Sequence, residues 1–321
     1  GYTTPDAYTD VELEYFAVRS TVGVFDLSPM NKYRVRGPDA TAYLNRLVTR
    51  DVNRIGVGRV GYSLWCNDAG QVMDDGTIFH LAENDYRICA YARANDWLHW
   101  SALGFDVELE DETGRLAALA VQGPTSCAAL TAMGLDDLRT MKPFGMREYP
   151  FEGDQLLVSR TGFTGDLGYE LFIAPALAET LWDRLFTAGL PYLIKPFGSL
   201  ALDLARIEAG FLQAGVDFLP AEGAVRPGRT RSPYELGLGW LVDLDKPLFT
   251  GRQALLKERA RGSRYRFAFL DVAGNKPAHH SFILHGKQQV GTVTSAAWCP
   301  TAKTNLALAQ LDMPYGQVGE E

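Results

Sequence analysis

A chain of 321 residues, 46% apolar and 22% charged, is ordinary globular material, long enough to build two or three cores. Its formal net charge of −8, with no lysine or arginine run and no aromatic-interleaved basic stripe, argues against a nucleic acid as partner. No apolar run approaches the roughly 18 residues of a membrane-spanning helix, so no membrane partner is expected. Cys66, Cys89, Cys127 and Cys299 are scattered singly, as reduced thiols of a cytoplasmic protein would be. The sequence opens at Gly1 rather than methionine, which points to a trimmed beginning, and no signal-peptide pattern is visible.

In chain order, residues 11–20 carry apolar positions at helical spacing among Glu12, Glu14 and Arg19, predicting a helix that leads into a strand at 22–27. Residues 32–36 alternate as a strand and stop at Gly37-Pro38; Asp39 then suits the N-cap of a helix holding Tyr43, Leu44 and Leu47. Residues 61–66 and 71–80, joined by the turn Asn67-Asp68-Ala69-Gly70, predict a hairpin with a next strand at 86–91. A helix over 97–103, strands near 107–109 and 117–122, and a helix at 126–133 follow. The second half repeats the pattern with strands at 156–161 and 169–173 and helices at 177–188 and 199–209. From about Phe249 strand-like runs prevail (265–272, 281–285, 288–294 and 305–311), predicting an all-β C-terminal module. The alternation with hairpins suggests an α+β fold rather than a doubly wound parallel sheet.

Residues 160–173, Arg-Thr-Gly-Phe-Thr-Gly-Asp-Leu-Gly-Tyr-Glu-Leu-Phe-Ile, join two strands through a glycine-broken turn and set Glu170 within a β-type apolar run. Three glycines in seven residues permit positive φ or close backbone approach to a ligand. A carboxylate in an apolar strand is costly unless paired. It either bonds locally, to backbone or an arginine, or receives the adjacent N–H donors of a planar heterocycle such as a pterin or guanine edge. No GxSxG, Walker or GxGxxG pattern is present, and neither the cysteines nor the adjacent His279 and His280 have the spacing of metal ligands, so no metal is expected.

Eight blocks in register resemble the tetrahydrofolate-dependent aminomethyltransferase family, whose type member is the transferase of the glycine cleavage system. They are Gly23-Val24-Phe25-Asp26-Leu27-Ser28-Pro29-Met30; Gly58-Arg59-Val60-Gly61-Tyr62 through Asn67, Gly70 and Asp74-Asp75; Val121-Gln122-Gly123-Pro124; the block ending at Glu170; Ala205-Arg206-Ile207-Glu208-Ala209-Gly210; Gly237-Leu238-Gly239-Trp240; Phe249-Thr250-Gly251-Arg252; and Gly291-Thr292-Val293-Thr294-Ser295. The resemblance implies two ferredoxin-like lobes in residues 1–245 and a C-terminal β-barrel in 246–321, arranged as a three-lobed ring with tetrahydrofolate in its central opening. It implies that Glu170 holds the pterin edge, with Met30, Phe163 and Tyr169 around the cofactor. It also implies that Asp96 lies near the folate nitrogen that receives the one-carbon unit. Tyr62, Tyr91 and Trp100 are placed around the substrate.

Phe163 stands where the glycine-cleavage enzyme has tyrosine, Pro29 where it has histidine, and Leu202 where it has an arginine. An arginine-to-leucine exchange removes a charge and five donors. These departures point to the branch that moves plain methyl groups. The expected reaction is therefore methyl transfer from a small sulfonium, ammonium or ether donor to N5 of tetrahydrofolate, with Asp96 stabilising charge there. Trp97, Trp100 and Tyr91 would cradle an onium donor; Tyr62, Tyr91 and His99 are the positions from which an acid could serve an ether. The alternative is a glycine-cleavage aminomethyltransferase, which requires a lipoyl carrier protein. A second alternative is a non-catalytic folate-binding scaffold, although its cysteine-bearing motif has no counterpart near Gln213.

Overall fold

Asp10 starts the first helix by accepting hydrogen bonds from the Glu12 and Leu13 amides, and α1 runs Val11–Ser20. The computed structural model describes residues 4–226, 228–274 and 276–319; Gly1 lies outside them. The chain continues through β1 (Gly23–Asp26), β2 (Asn31–Arg36), α2 (Ala40–Leu47), β3 (Arg59–Cys66), β4 (Val72–Ala82), β5 (Asp85–Ala90), α3 (Asn95–Ser101), β6 (Glu108–Asp111) and β7 (Ala117–Gln122). Then come α4 (Ser126–Ala132), β8 (Met146–Phe151), β9 (Asp154–Ser159), β10 (Gly168–Ile173), α5 (Ala178–Gly189), β11 (Lys195–Pro196) and α6 (Ser199–Glu208). The last part holds α7 (Arg252–Arg261), β12 (Tyr265–Val272), β13 (Phe282–His285), β14 (Gln288–Cys299) and β15 (Thr304–Asp312).

The strands form three sheets in an α+β architecture: β3-β4-β5-β2-β6, β11-β1-β7-β10-β9-β8 and β12-β15-β14-β13. The first two interleave in sequence. Strand β1 belongs to the second sheet, the chain builds the whole first sheet from β2 to β6, and β7 returns to pair antiparallel with β1. Asp39 sits at the start of α2 as expected, but its carboxylate makes no cap there; it accepts from the Asp106 amide instead. Two departures from the sequence reading have local causes. Strand β8 contains Pro150 and charged Arg147 and Glu148 and, among the described residues, pairs in the sheet with β9 alone, so it is an edge strand without the alternation that marks the others. Strand β14 runs past 294 because a register shift between Val293 and Ser295 absorbs the break in pattern.

Each of the first two sheets buries one face under helices and turns the other toward its neighbour. In the first, Tyr33, Val35, Trp65, Ile78 and Ile88 pack beneath α2 and α3. In the second, Val121, Val158, Tyr169, Leu171 and Ile173 pack against α4 and α5. The facing sides meet in a cluster of Val60, Phe79 and Cys89 from one sheet and Ala118, Leu157 and Phe172 from the other. Phe79 and Phe172 cross edge to face with centroids 5.3 Å apart, worth about 0.5–1.5 kcal/mol beyond burial. The C-terminal sheet is tied on by Arg206 of α6, which is 1% exposed and bonds Asp217 at 2.5 Å and Ser295 at 2.9 Å. No helix among the described residues is long and apolar enough to cross a membrane.

Candidate functional site

The seam between the two sheets carries two half-buried carboxylates, Glu170 and Asp75. On β10, Glu170 lies between Ala120 of β7 and Ser159 of β9 and shares its face with Phe172, the seam aromatic. Its Oε2 accepts a 2.6 Å hydrogen bond from Thr161, whose hydroxyl is in turn 2.7 Å from Ser159 Oγ. No other side-chain partner of Glu170 is recorded among the described residues, so Oε1 keeps its acceptor capacity. Burial raises the carboxyl above its ordinary range, and the Thr161 hydroxyl offsets part of that.

The glycines of the preceding turn do more for the protein than for a ligand. A Cβ at Gly162 or at Gly168 would stand 2.1 Å from Gln122 Oε1, so both are pressed against the Gln122 amide. That amide accepts from Thr164 Oγ1 at 2.9 Å and donates toward Thr161 and Tyr169 carbonyls at 3.3 and 3.4 Å. Only Gly165 of the three uses positive φ, at 76°. The turn is thereby fixed around Gln122, and Phe163 projects from it to stack on Phe211 at 5.6 Å.

Across the seam the β3–β4 ladder sets Trp65 opposite Asp74 and Leu64 opposite Asp75. Successive strand residues alternate faces, so Asp75 shares the seam face with Thr77 and Phe79, whereas Asp74 turns under the helices. Tyr62 donates a 2.6 Å hydrogen bond to Asp75 Oδ2 and leans on Trp240, centroids 6.2 Å apart. Burial pushes the Asp75 carboxyl up to about 6 despite that bond. Lys32, fully buried, donates to the Ser28 and Met30 carbonyls at 2.9 Å each. It thereby fixes the bend that sets Met30 against the seam cluster. Beside Lys32 in the ladder is Cys89, whose thiol is pushed up to about 12 by burial, with the Glu170 charge adding to the effect. That coupling links the two sheets' polar groups electrostatically.

The structure thus brings Glu170 and Met30 to the seam, with Phe163 on the turn beside it, whereas Tyr62, on the same face of β3 as Val60, packs against Trp240 and the cluster of Leu64, Leu236 and Leu241. Other residues singled out from sequence fall elsewhere. Tyr169 is 1% exposed and packed in the helix-side core of its sheet, because adjacent strand residues face opposite ways; it is a core residue. Asp96 is exposed in the first turn of α3, and is not brought to the seam carboxylates by any recorded contact. Tyr91 and Trp100 are 66% and 72% exposed, Tyr91 just past the end of β5 and Trp100 on the outer side of α3. His99 is exposed and bonded to the Asn95 carbonyl. Asp75, named from sequence only inside a family block, is a further carboxylate on the seam face. Its signal was present as an acidic pair inside a strand otherwise apolar around it. Leu202 packs beside Phe25 and Phe197 between α6 and the sheet, where a leucine needs no partner.

The family model for the GCVT N-terminal domain matches residues 1–246, and that for the glycine cleavage T-protein C-terminal barrel domain matches 266–321. An aminomethyltransferase of Caldanaerobacter subterraneus is 33% identical over 327 residues, spanning 100% of this chain and 85% of that one. A trimethylamine-oxide aldolase of Ruegeria pomeroyi is 34% identical over 95% of this chain but only 39% of its own length. The crystal structure of the glycine cleavage system aminomethyltransferase T from Bartonella henselae superposes with a TM-score of 0.86 at 25% identity, covering 97% of this chain and 84% of that one. With both domains matched along nearly all its length, the chain belongs to the glycine cleavage T-protein family of folate-dependent one-carbon transferases.

Proposed function

We propose that the seam between the first two sheets binds tetrahydrofolate and transfers to it a one-carbon unit of the aminomethyl type. The observation that carries this reading is the pair of half-buried carboxylates, Glu170 and Asp75, on facing sheets, each raised above its ordinary range. Their environment fits the group. Glu170 has one hydroxyl donor and spare acceptor capacity in an otherwise apolar wall, which suits adjacent N–H donors on a flat ring. Met30 supplies a polarizable contact. When bound, tetrahydrofolate supplies the nitrogen that takes up the one-carbon unit. Asp75, oriented by Tyr62, accepts a proton or stabilises positive charge that develops on nitrogen; this role passes to it from Asp96. The aminomethyl reading is supported by relatives named aminomethyltransferase and carries with it a lipoyl-bearing carrier protein as partner. The cytoplasm is the compartment in keeping with four free cysteines.

Methyl transfer from a small methylated donor is the second reading, supported by Leu202 in its apolar setting and by Pro29. The products distinguish the two. Incubation with tetrahydrofolate and an aminomethyl-loaded lipoyl carrier should release ammonia and 5,10-methylenetetrahydrofolate. If only methyl donors yield product, as 5-methyltetrahydrofolate, the second reading replaces the first. No folate product from either source would count against both.

A further inference from the structure

Among the described residues the chain passes between the first two sheets twice. It leaves β1 of the second sheet through residues 27–30 to enter β2 of the first, and leaves β6 of the first through 112–116 to return in β7 of the second. Lys32 is bonded to both passages. Its Nζ donates to the Ser28 and Met30 carbonyls of the outgoing one at 2.9 Å each. Its main chain holds the returning one: the amide donates to Thr113 Oγ1 at 3.0 Å, and the carbonyl accepts from the Glu112 amide at 2.8 Å.

The other end of the outgoing passage is tied to the second sheet. The Ser28 amide donates to Asp26 Oδ1 at 2.8 Å, Ser28 Oγ accepts from the Ala118 amide at 3.1 Å, and the Leu27 amide donates to the Ala118 carbonyl at 2.8 Å. One side chain of the first sheet thus closes a run of hydrogen bonds that begins on the second. Met30 sits inside that closure, half-buried against the seam cluster. Lys32 itself is sealed from solvent and meets no ligand. A lysine taken wholly out of water costs more than an apolar residue of its size, and removing it would leave two carbonyls of the passage without that donor. We propose that Lys32 is a positioning residue for folate binding: by clamping both passages it holds Met30 at a fixed place in the seam. The inference rests on the folate reading and adds to it a residue that acts through Met30.

The test is a double-mutant cycle, read by calorimetric titration of the full chain with tetrahydrofolate. Lys32→Met, which keeps a long unbranched side chain and removes the ammonium, should weaken binding about tenfold in the wild-type background. Once Met30 is replaced by alanine, the same change should cost less than about twofold, because the side chain it positions is gone. A lysine that only stabilised the fold would lower the melting temperature in both backgrounds and leave the affinity of the folded protein alone. Thr113→Val, which removes the acceptor of the Lys32 amide, should follow the same pattern at about threefold. Unchanged affinity in a folded Lys32→Met overturns the proposal, as does an equal loss in the two backgrounds. Should that variant misfold, unchanged affinity in Thr113→Val overturns it instead. A wild type that does not bind tetrahydrofolate overturns the folate reading and this inference together, whereas variants that bind as tightly as a binding wild type overturn this inference alone.

Discussion

At the level of single residues, the facing carboxylates make separable claims. Replacing Glu170 with alanine removes the acceptor that a pterin edge would use, and folate affinity should fall by about 2–4 kcal/mol, measured by calorimetry. Asp75 should govern turnover rather than affinity. Its carboxyl is raised to about 6, so the ionised form is lost as pH falls through that value. The acid limb of kcat/KM should therefore fall about tenfold per unit below pH 6. Asp75→Asn should abolish that limb and slow turnover while leaving folate affinity nearly unchanged. An undisturbed acid limb in the variant would remove Asp75 from the reaction. Glu170 was legible in sequence because a charge inside an apolar strand stands out. Asp75 was less so, because strand parity decides which of two neighbouring acids reaches the seam. That parity is set by the unbroken ladder from Val60–Phe79 to Trp65–Asp74, which no composition reveals. Asp96 had the spacing of a site residue and a surface environment.

Among elements, β10 is read correctly only as a two-faced strand. Tyr169 and Glu170 are neighbours in sequence and belong to different environments. Tyr169→Phe should leave folate affinity unaltered, and Tyr169→Ala should cost about 3–5 kcal/mol of stability through the cavity it leaves, measured by denaturant unfolding. Strand β4 makes the complementary case. The folded Asp74 carboxyl is raised from its ordinary 3.8 to about 7, so its contribution to stability is fully present below 3.8 and is lost as pH rises through 7. Above pH 7 the wild type holds an ionised carboxylate under the helices. Asp74→Asn should then raise stability by as much as about 3 kcal/mol at pH 8, and this advantage should shrink toward pH 4. Most strands and helices were legible from periodicity and turn residues. Edge strand β8 was not, since Pro150 and its charges are tolerated where, among the described residues, no second strand of a sheet lies beside it.

For the molecule as a whole, the buried Arg206 ion pair is the joint between the first two lobes and the C-terminal sheet. Asp217, itself 1% exposed, accepts from Arg206, Thr294, Ser295 and the Gln213 amide. Arg206→Leu would strand that carboxylate in the interior and should destabilise by about 3–5 kcal/mol. The loss should register first as faster proteolysis between the lobes and the C-terminal sheet. The three-sheet arrangement was inferred from eight blocks in order, but the joint was not, because its partners are 11 and 89 positions from Arg206 and nothing local announces them.

The interleaving of the first two sheets also bears on how the protein is made. Gly23 pairs with Lys195 in parallel, about 170 positions later, so the ribosome must release most of the chain before β1 gains its outer neighbour. A nascent chain stopping short of Pro196 leaves that strand with an open edge, while the first sheet, complete by Asp111, can already close. Non-local closure of this kind is slow. The Glu170 wall of the seam is therefore the later of the two to form, and truncated chains should display a finished Asp75 wall with nothing opposite it.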